Sequence, residues 1–310
     1  MQVEEELARF SPSKDTVLTV GVFDGVHLGH KRLNDEVASQ ARTKGWLSGA
    51  VTFKTHPREL FSPRTRLSYL TTLSEREELL KQDGIDIVVM LSFTRELSQL
   101  TAREFLGLLV KHLRMKGLVV GPDAALGRNR TGKVGEIQVL GKEMGFTVTV
   151  MLPQKINGDV ISSTAIRNAL AAGDMHKVSR LLGRPFSLRG KVVTGQRRGS
   201  DIGFPTANID VDSKQALPPD GVYATRAYIE GKPYQSMTNI GRSPTFGAHN
   251  KRTIEVYILD YKGDIYGKEL KIELIERLRG EKKFEDVETL KQQIAADIER
   301  GREILSGQDN

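Results

Sequence analysis

His27 and His30 flank Gly29 in the segment GVFDGVHLGHKR, Gly21 to Arg32. Imidazoles placed where a strand ends and a helix begins can stabilise negative charge building on a phosphate, helped by the positive helix end, without acting as nucleophiles. Gly21 and Gly25, near the strand end, let backbone approach a ligand. The same string also reads as a glycine-rich turn with two solvated histidines, and His-x-x-His without acidic neighbours is a weaker, metal-binding option. THPREL places His56 and Pro57 after a second strand. GPDAALGRNRTG, Gly121 to Gly132, gathers Asp123, Arg128 and Arg130 in one loop, either solvated or ligand-facing; the glycine and lysine spacing of GRNRTGK, Gly127 to Lys133, is not that of a Walker A loop. ISSTAIR, Ile161 to Arg167, sets hydroxyls at a helix start with Arg167 in the first turn, which is either plain capping or a phosphate clamp of N–H, hydroxyl and guanidinium.

The second half carries different chemistry. In GKVVTGQRRGSDIGFPTANI, Gly190 to Ile209, closely spaced glycines precede Thr206 and Asn208, oxygen ligands suited to a hard cation such as Mg²⁺; a β-turn followed by a strand is the alternative. In TIEVYILD, Ile254, Val256 and Ile258 share one strand face, so Glu255 points the other way, as an exposed carboxylate or a base.

The elements that must hold these residues change character along the chain. From Thr16 to Leu152, the apolar runs TVLTVGVF, SGAVTF, IDIVVMLSF, GLVVG and FTVTVML alternate with helical patterns near Lys31–Lys44, Ser74–Gln82, Thr101–Leu113 and Lys133–Met144. Continuously apolar strands alternating with helices predict an α/β doubly wound parallel sheet, which binds ligands beyond the carboxyl ends of its strands. Two short helices follow, Thr164–Ala172 and Met175–Leu182, stopped by Gly173 and Gly183, with Asp174 as an N-cap between them. After Phe186 the period becomes two: SLRGKVVTG, GVYATRAYI, KPYQSMTNI, TIEVYILD and ELKIELIERL predict an all-β antiparallel barrel or sandwich, read here as a barrel. A C-terminal helix, Val287–Leu305, carries Leu290, Ile294, Ile298 and Leu305 as the stripe expected to pack on it. The expected domains are 1–184 and 185–310.

Length and composition agree with two ordinary globular domains: 310 residues, 38% hydrophobic and 27% charged. Without cysteine, thiolate metal sites and cysteine nucleophiles are excluded. The net charge of +7 is local, since residues 1–184 hold 26 basic and 20 acidic side chains whereas 185–310 hold 20 and 19. The surplus falls in the span holding Arg128, Arg130 and Arg167, which favours nucleotide phosphates over nucleic acid as partner. The acidic start MQVEEELARF lacks the pattern of a signal peptide and no stretch is apolar enough to span a membrane, so a cytoplasmic protein with no membrane partner is expected.

Taken together, GxFDGxHxGH, TFxxHP and ISSTxIR, in this order, resemble the adenylyltransferase module of the bacterial bifunctional riboflavin kinase/FAD synthetase family, within the wider HxGH nucleotidyltransferases. PTAN, DGVYA, NIGRSPTFG, TIEVYILD, DIYG and LRGEKKF resemble the riboflavin kinase domain of the same family over nearly all of 185–300. The resemblance implies that riboflavin is phosphorylated to FMN and FMN adenylylated to FAD, with ATP as co-substrate and Mg²⁺ as cofactor. It implies that His27 and His30 contact ATP phosphates, with Gly21, Phe23, Asp24, Gly29, Ser163, Thr164 and Arg167 around the nucleotide. Asp123 and Arg128 would face the flavin. In the kinase half Glu255 would be the general base, Thr206 and Asn208 would bind Mg²⁺-ATP, and Gly195, Arg198 and Gly199 would wrap its phosphates. Asn239 and Arg279 would lie near the flavin, with pairing of Arg279 to Glu281 or Glu276 the structural alternative. Three positions depart from the family pattern. DAALG, Asp123 to Gly127, lacks both aromatics of DFxFG, so a kinase with a weakened adenylyltransferase half is the alternative function; Thr55 replaces a proline; Ser200-Asp201 stands where a basic residue is frequent. A transferase of the pantetheine-phosphate or nicotinamide-mononucleotide kind would not account for PTAN and TIEVYILD.

Overall fold

The computed structural model describes residues 1–61, 67–153, 155–156, 158–195, 202–242 and 252–307. It forms two compact units, Met1–Ser163 and Thr164–Asn310.

In the first unit helix α1 (Gln2–Ala8) precedes β1 (Thr16–Val20), α2 (Leu28–Lys44), β2 (Leu47–Phe53), α3 (Pro57–Phe61), α4 (Leu73–Gln82) and β3 (Ile87–Leu91). The chain continues through α5 (Arg95–Gln99), α6 (Ala102–Leu113) and β4 (Met115–Val120). A small hairpin, β5 (Ala125–Leu126) with β6 (Gly132–Lys133), leads to α7 (Val134–Met144), β7 (Thr147–Val150) and a second hairpin, β8 (Lys155–Ile156) with β9 (Asp159–Val160). Five strands form a parallel sheet in the order β3-β2-β1-β4-β7. Successive residues of its strands enter opposite cores, as a sheet covered on both faces requires. Leu18, Val51, Val89 and Leu118 pack with Phe105, Leu106 and Leu109 of α6. Val17, Ala50, Val88 and Val119 pack with Val37 and Ala41 of α2. From β1 the chain builds outward through β2 and β3, then crosses back to lay β4 on the other side of β1. The strand order therefore reverses between β1 and β4, which is where such sheets open a ligand crevice.

The second unit begins with α8 (Ser163–Ala172) and α9 (Met175–Leu182). Both predicted stops hold: Gly173 and Gly183 take φ of 75° and 77°, and Asp174 caps α9 by accepting from Lys177 N–H at 2.8 Å. These helices, expected to end the first domain, cluster with the second unit because α9 packs on β15 (Glu269–Arg279) and β10 (Phe186–Val193). With β11 (Ala207–Val211), β12 (Gly221–Ile229), β13 (Lys232–Arg242) and β14 (Arg252–Ile258), those strands close a barrel in the order β10-β11-β14-β13-β12-β15. The sixth strand is β11, which starts inside PTAN. Tyr223, Ile240, Ile254, Val256, Ile272 and Leu274 are buried. Buried Thr225 satisfies its hydroxyl on Ser236 and Thr238 at 2.7 and 2.8 Å. Helix α10 (Val287–Ser306) lies on β12, β13 and β15. Its most buried residues are Asp297, Gly301 and Leu305, with Leu290, Ile294 and Ile298 half-buried, so the contact stripe is rotated from the expected one. The helix comes close enough that a Cβ on Gly301 would run into the Met237 side chain.

Candidate active sites

The first site grows from the turn between β1 and α2. Helix α2 starts at Leu28, earlier than periodicity suggests, so His27 is its N-cap and accepts from His30 N–H through Nδ1 at 3.3 Å. Three residues along, His30 stacks on His27 with ring centroids 3.6 Å apart and planes 14° off parallel. Phe23 closes edge-on against His30 at 5.0 Å. Gly29 fits because a Cβ there would sit 3.2 Å from the His27 ring, and Gly21 because one would sit 3.2 Å from the Phe23 ring. The turn itself is bent against its preference: Phe23 and Val26 hold φ of 51° and 37°. Such backbone costs about 1–3 kcal/mol per residue and persists only where its surroundings enforce it.

Around this pair lies a cavity of about 310 Å³ lined by Gly21, Phe23, His27, Gly29 and His30, with Gly121 to Ala124 after β4 and Met151 to Pro153 after β7. It opens at the carboxyl ends of β1, β4 and β7, the reversal point of the sheet. Asp123, a candidate from the sequence, lines it, and Ala124 lines it where DAALG departs from the aromatic pattern. Arg32 and the Met151–Pro153 wall were not among the sequence candidates; their positions at helix start and strand end were the available signal.

Other expected residues sit elsewhere. Asp24 does not line the cavity: it is buried, and its carboxylate accepts from Leu70 N–H at 2.9 Å and Thr71 N–H at 3.3 Å. Ser163 donates its hydroxyl to the Asp24 carbonyl at 2.9 Å, so it braces the turn. Thr164 and Arg167 lie in the first turns of α8, within the second unit. Arg128 is also outside the cavity lining; its N–H donates to Leu100 O at 2.7 Å from a 3-10 turn, Arg128–Arg130. Under His56 the Tyr69 hydroxyl accepts from the His56 N–H at 2.7 Å, and burial, the largest influence, pushes that phenol up to about 12.

The second site is a cross-strand row on the barrel. Glu255 on β14 is paired with Asn208 on β11 and with Asn239 on β13. Directly opposed residues of an antiparallel ladder share a face, so a carboxylate stands between two amides. Ile254, Val256 and Ile258 are buried while Glu255 is half-buried, which is the predicted alternation. Gly195 abuts this row: a Cβ on it would collide with the Asn208 amide. Thr206 lies half-buried two residues before Asn208. Phe204 packs edge-on against Tyr257 at 5.7 Å and docks the GFPTAN segment across β14; it was not a sequence candidate. Thr206, Asn208 and Glu255 offer only oxygen donors on this side of the barrel, which fits a hard divalent cation. Among the described residues no cluster of three or more His, Asp or Glu is arranged to hold a metal, so phosphates and water would have to complete its shell.

Arg279 pairs with a residue not foreseen from the sequence. Its Nε and Nη2 grip Asp297 of α10 at 2.9 and 2.8 Å, and its guanidinium lies 5.7 Å from the Phe284 ring centroid. Neither Glu281 nor Glu276 is its partner; Glu276 faces His176 and Arg300. Arg198 and Gly199, expected to wrap phosphates, lie outside the described residues.

Comparison with known proteins divides the chain in the same way. The FAD synthetase family matches residues 10–165 and the riboflavin kinase family matches 182–305. The bifunctional riboflavin kinase/FMN adenylyltransferase of Escherichia coli K12 is 39% identical over 95% of this chain and 94% of its own. That of Pseudomonas fluorescens is 36% identical over 99% and 98%, and that of Bacillus subtilis 32% over 95% and 92%. A solved chain from Streptococcus pneumoniae described as a macrolide-efflux protein superposes with a TM-score of 0.90 at 30% identity, covering 97% of each. Among the described residues no helix is long and apolar enough to cross a membrane.

Proposed function

This chain belongs to the bifunctional riboflavin kinase/FMN adenylyltransferase family, and on that premise we propose how its own residues divide the two reactions. It phosphorylates riboflavin to FMN and adenylylates FMN to FAD, each with ATP. Both matched halves favour this over a chain that acts only as a kinase.

In the first unit the FMN phosphate oxygen attacks the α-phosphorus of ATP, and pyrophosphate leaves. No enzyme nucleophile is required, so positioning and charge stabilisation carry the catalysis. Their seating in a cavity at the sheet's reversal point supports His27 and His30 as the groups that stabilise the developing charge. Gly21 and Gly29 keep the floor of that cavity open, Phe23 orients His30, and Asp123 faces the flavin. Ser163 and Asp24 serve by holding the turn, while Thr164, Arg167 and Arg128 remain candidates for the phosphate and flavin ends.

In the second unit the riboflavin 5'-hydroxyl attacks the γ-phosphorus of ATP and ADP leaves. Glu255 accepts the hydroxyl proton, Asn239 orients the flavin side and Asn208 with Thr206 holds the nucleotide side, with Gly195 in the phosphate segment that continues into Arg198 and Gly199. The row Asn239–Glu255–Asn208 is the observation that carries this assignment. Phosphoryl transfer is loose, so a carboxylate base and charge neutralisation suffice. The families are ATP-dependent and generally use a divalent metal; we assign Mg²⁺, which Thr206 and Asn208 would hold to neutralise the ATP phosphates. Arg279 anchors α10 through Asp297 and remains a candidate for the flavin side.

We set the functional boundary at 184, within three residues of where the riboflavin kinase match begins, at 182. Use of ATP in both reactions favours the cytoplasm, and small molecules rather than nucleic acid or membrane account for the local basic surplus. Separation of flavins after incubating the full chain with riboflavin, ATP and MgCl₂ tests the reading: FMN then FAD is expected, and absence of any flavin nucleotide overturns it.

A further inference from the structure

Beneath the β1–α2 turn sits a side chain that does not line the cavity. Arg76, on α4, is fully buried, and burial pulls its guanidinium below the ordinary arginine value while the facing Asp24 opposes that shift. Its Nη1 donates to Phe53 O at 2.9 Å and its Nη2 lies 3.9 Å from Asp24 Oδ1. Burial of an arginine without full pairing is costly, so this one must do something its neighbours need.

What they need is the bent turn. Thr52 donates its hydroxyl to Val22 O at 2.9 Å, and Arg76 Nη1 reaches that hydroxyl at 3.5 Å. Asp24 receives the N–H groups of Leu70 and Thr71, and the Thr71 hydroxyl in turn accepts from Gly25 N–H at 3.1 Å. Val22, Asp24 and Gly25 are thereby tied to the same small frame, and Phe23 and Val26, joined to each other by Val26 N–H donating to Phe23 O at 3.1 Å, keep their positive φ between these ties. The frame ends at His27, the N-cap of the helix that carries His30.

Resting on the assignment of His27 and His30 above, we infer that Arg76 is a positioning residue for adenylyl transfer: paired with Asp24, it fixes the turn that sets the stacked histidines against the nucleotide. Its removal changes the geometry of the transition state more than the affinity for ATP.

The test uses the full chain with Arg76→Met, Arg76→Lys, Asp24→Asn and His30→Ala. FMN adenylylation is measured for kcat and KM, and Trp46, the single tryptophan, reports by fluorescence whether the first unit is folded. With native Trp46 emission, Arg76→Met is expected to lower kcat about 100-fold, the scale of an ångström-level misplacement, with the KM for ATP within about threefold. Arg76→Lys, which keeps the charge, should recover at least about tenfold of that loss. Asp24→Asn should fall as Arg76→Met does, and the double variant little further, since paired residues are not additive. If Arg76→Met unfolds, Asp24→Asn and Arg76→Lys decide in the same way. Wild-type kcat in a folded variant, a loss confined to KM, or unfolding of all three overturns the inference. Full activity of His30→Ala would instead sink the site assignment beneath it.

Discussion

His27 and His30 work as one unit, because the first caps the helix that presents the second and their rings lie 3.6 Å apart. Gly29→Ala should therefore disturb catalysis through the imidazole pair: the new methyl would press on the His27 ring, and adenylylation is expected to drop about tenfold while riboflavin phosphorylation is unchanged. On the barrel, Gly195→Ala pushes the Asn208 amide, so the Mg²⁺ concentration needed for half-maximal kinase activity should rise; an unchanged requirement would separate Gly195 from the metal. The placement of the histidines, Gly29, Asn208 and Glu255 was legible in the sequence because each lies within a short string whose element was also legible. Asp24 and Arg279 were not. Their decisive partners, Leu70 and Thr71 for one and Asp297 for the other, come from elements whose approach no local spacing encodes.

Elements position these residues through a few anchoring contacts. Helix α10 is held on the barrel by the pair of half-buried Arg279 with buried Asp297, so Arg279→Met should destabilise the second unit by about 2 kcal/mol and lower its thermal midpoint. Helix α1 is tied to the strand ends by Glu6, which accepts from Lys54 and from Ser92 N–H at 2.8 Å each. Burial raises the Glu6 carboxyl, but Lys54 and Ser92 outweigh it and hold it below the ordinary glutamate value. The contribution is thus complete above the ordinary glutamate range and is lost as pH falls through the lowered folded value. Glu6→Gln should be less stable than wild type near neutral pH, as followed by Trp46, with the gap closing in acid. Sheet and barrel could be read from apolar runs and period-two alternation. The docking of α1, the rotated stripe of α10 and the sixth strand β11 could not, since they depend on which surfaces remain uncovered after the strands have paired.

Across the whole molecule, the proposed assignment rests the two ATP-dependent reactions on residues of different kinds: a stacked imidazole pair at a helix start, and a carboxylate between two amides on a barrel. Chelation of the divalent metal should stop both, and restoring Mg²⁺ should restore both. The central claim is that the chemistries are separable by single residues. Its most direct measurement is chromatography of the flavins formed from riboflavin, ATP and Mg²⁺ by wild type, His30→Ala and Glu255→Ala. The account predicts FAD from wild type, accumulation of FMN with His30→Ala, and unreacted riboflavin with Glu255→Ala, which still converts supplied FMN to FAD. Full kinase rate in Glu255→Ala, or FAD formed at the wild-type rate by His30→Ala, would contradict it.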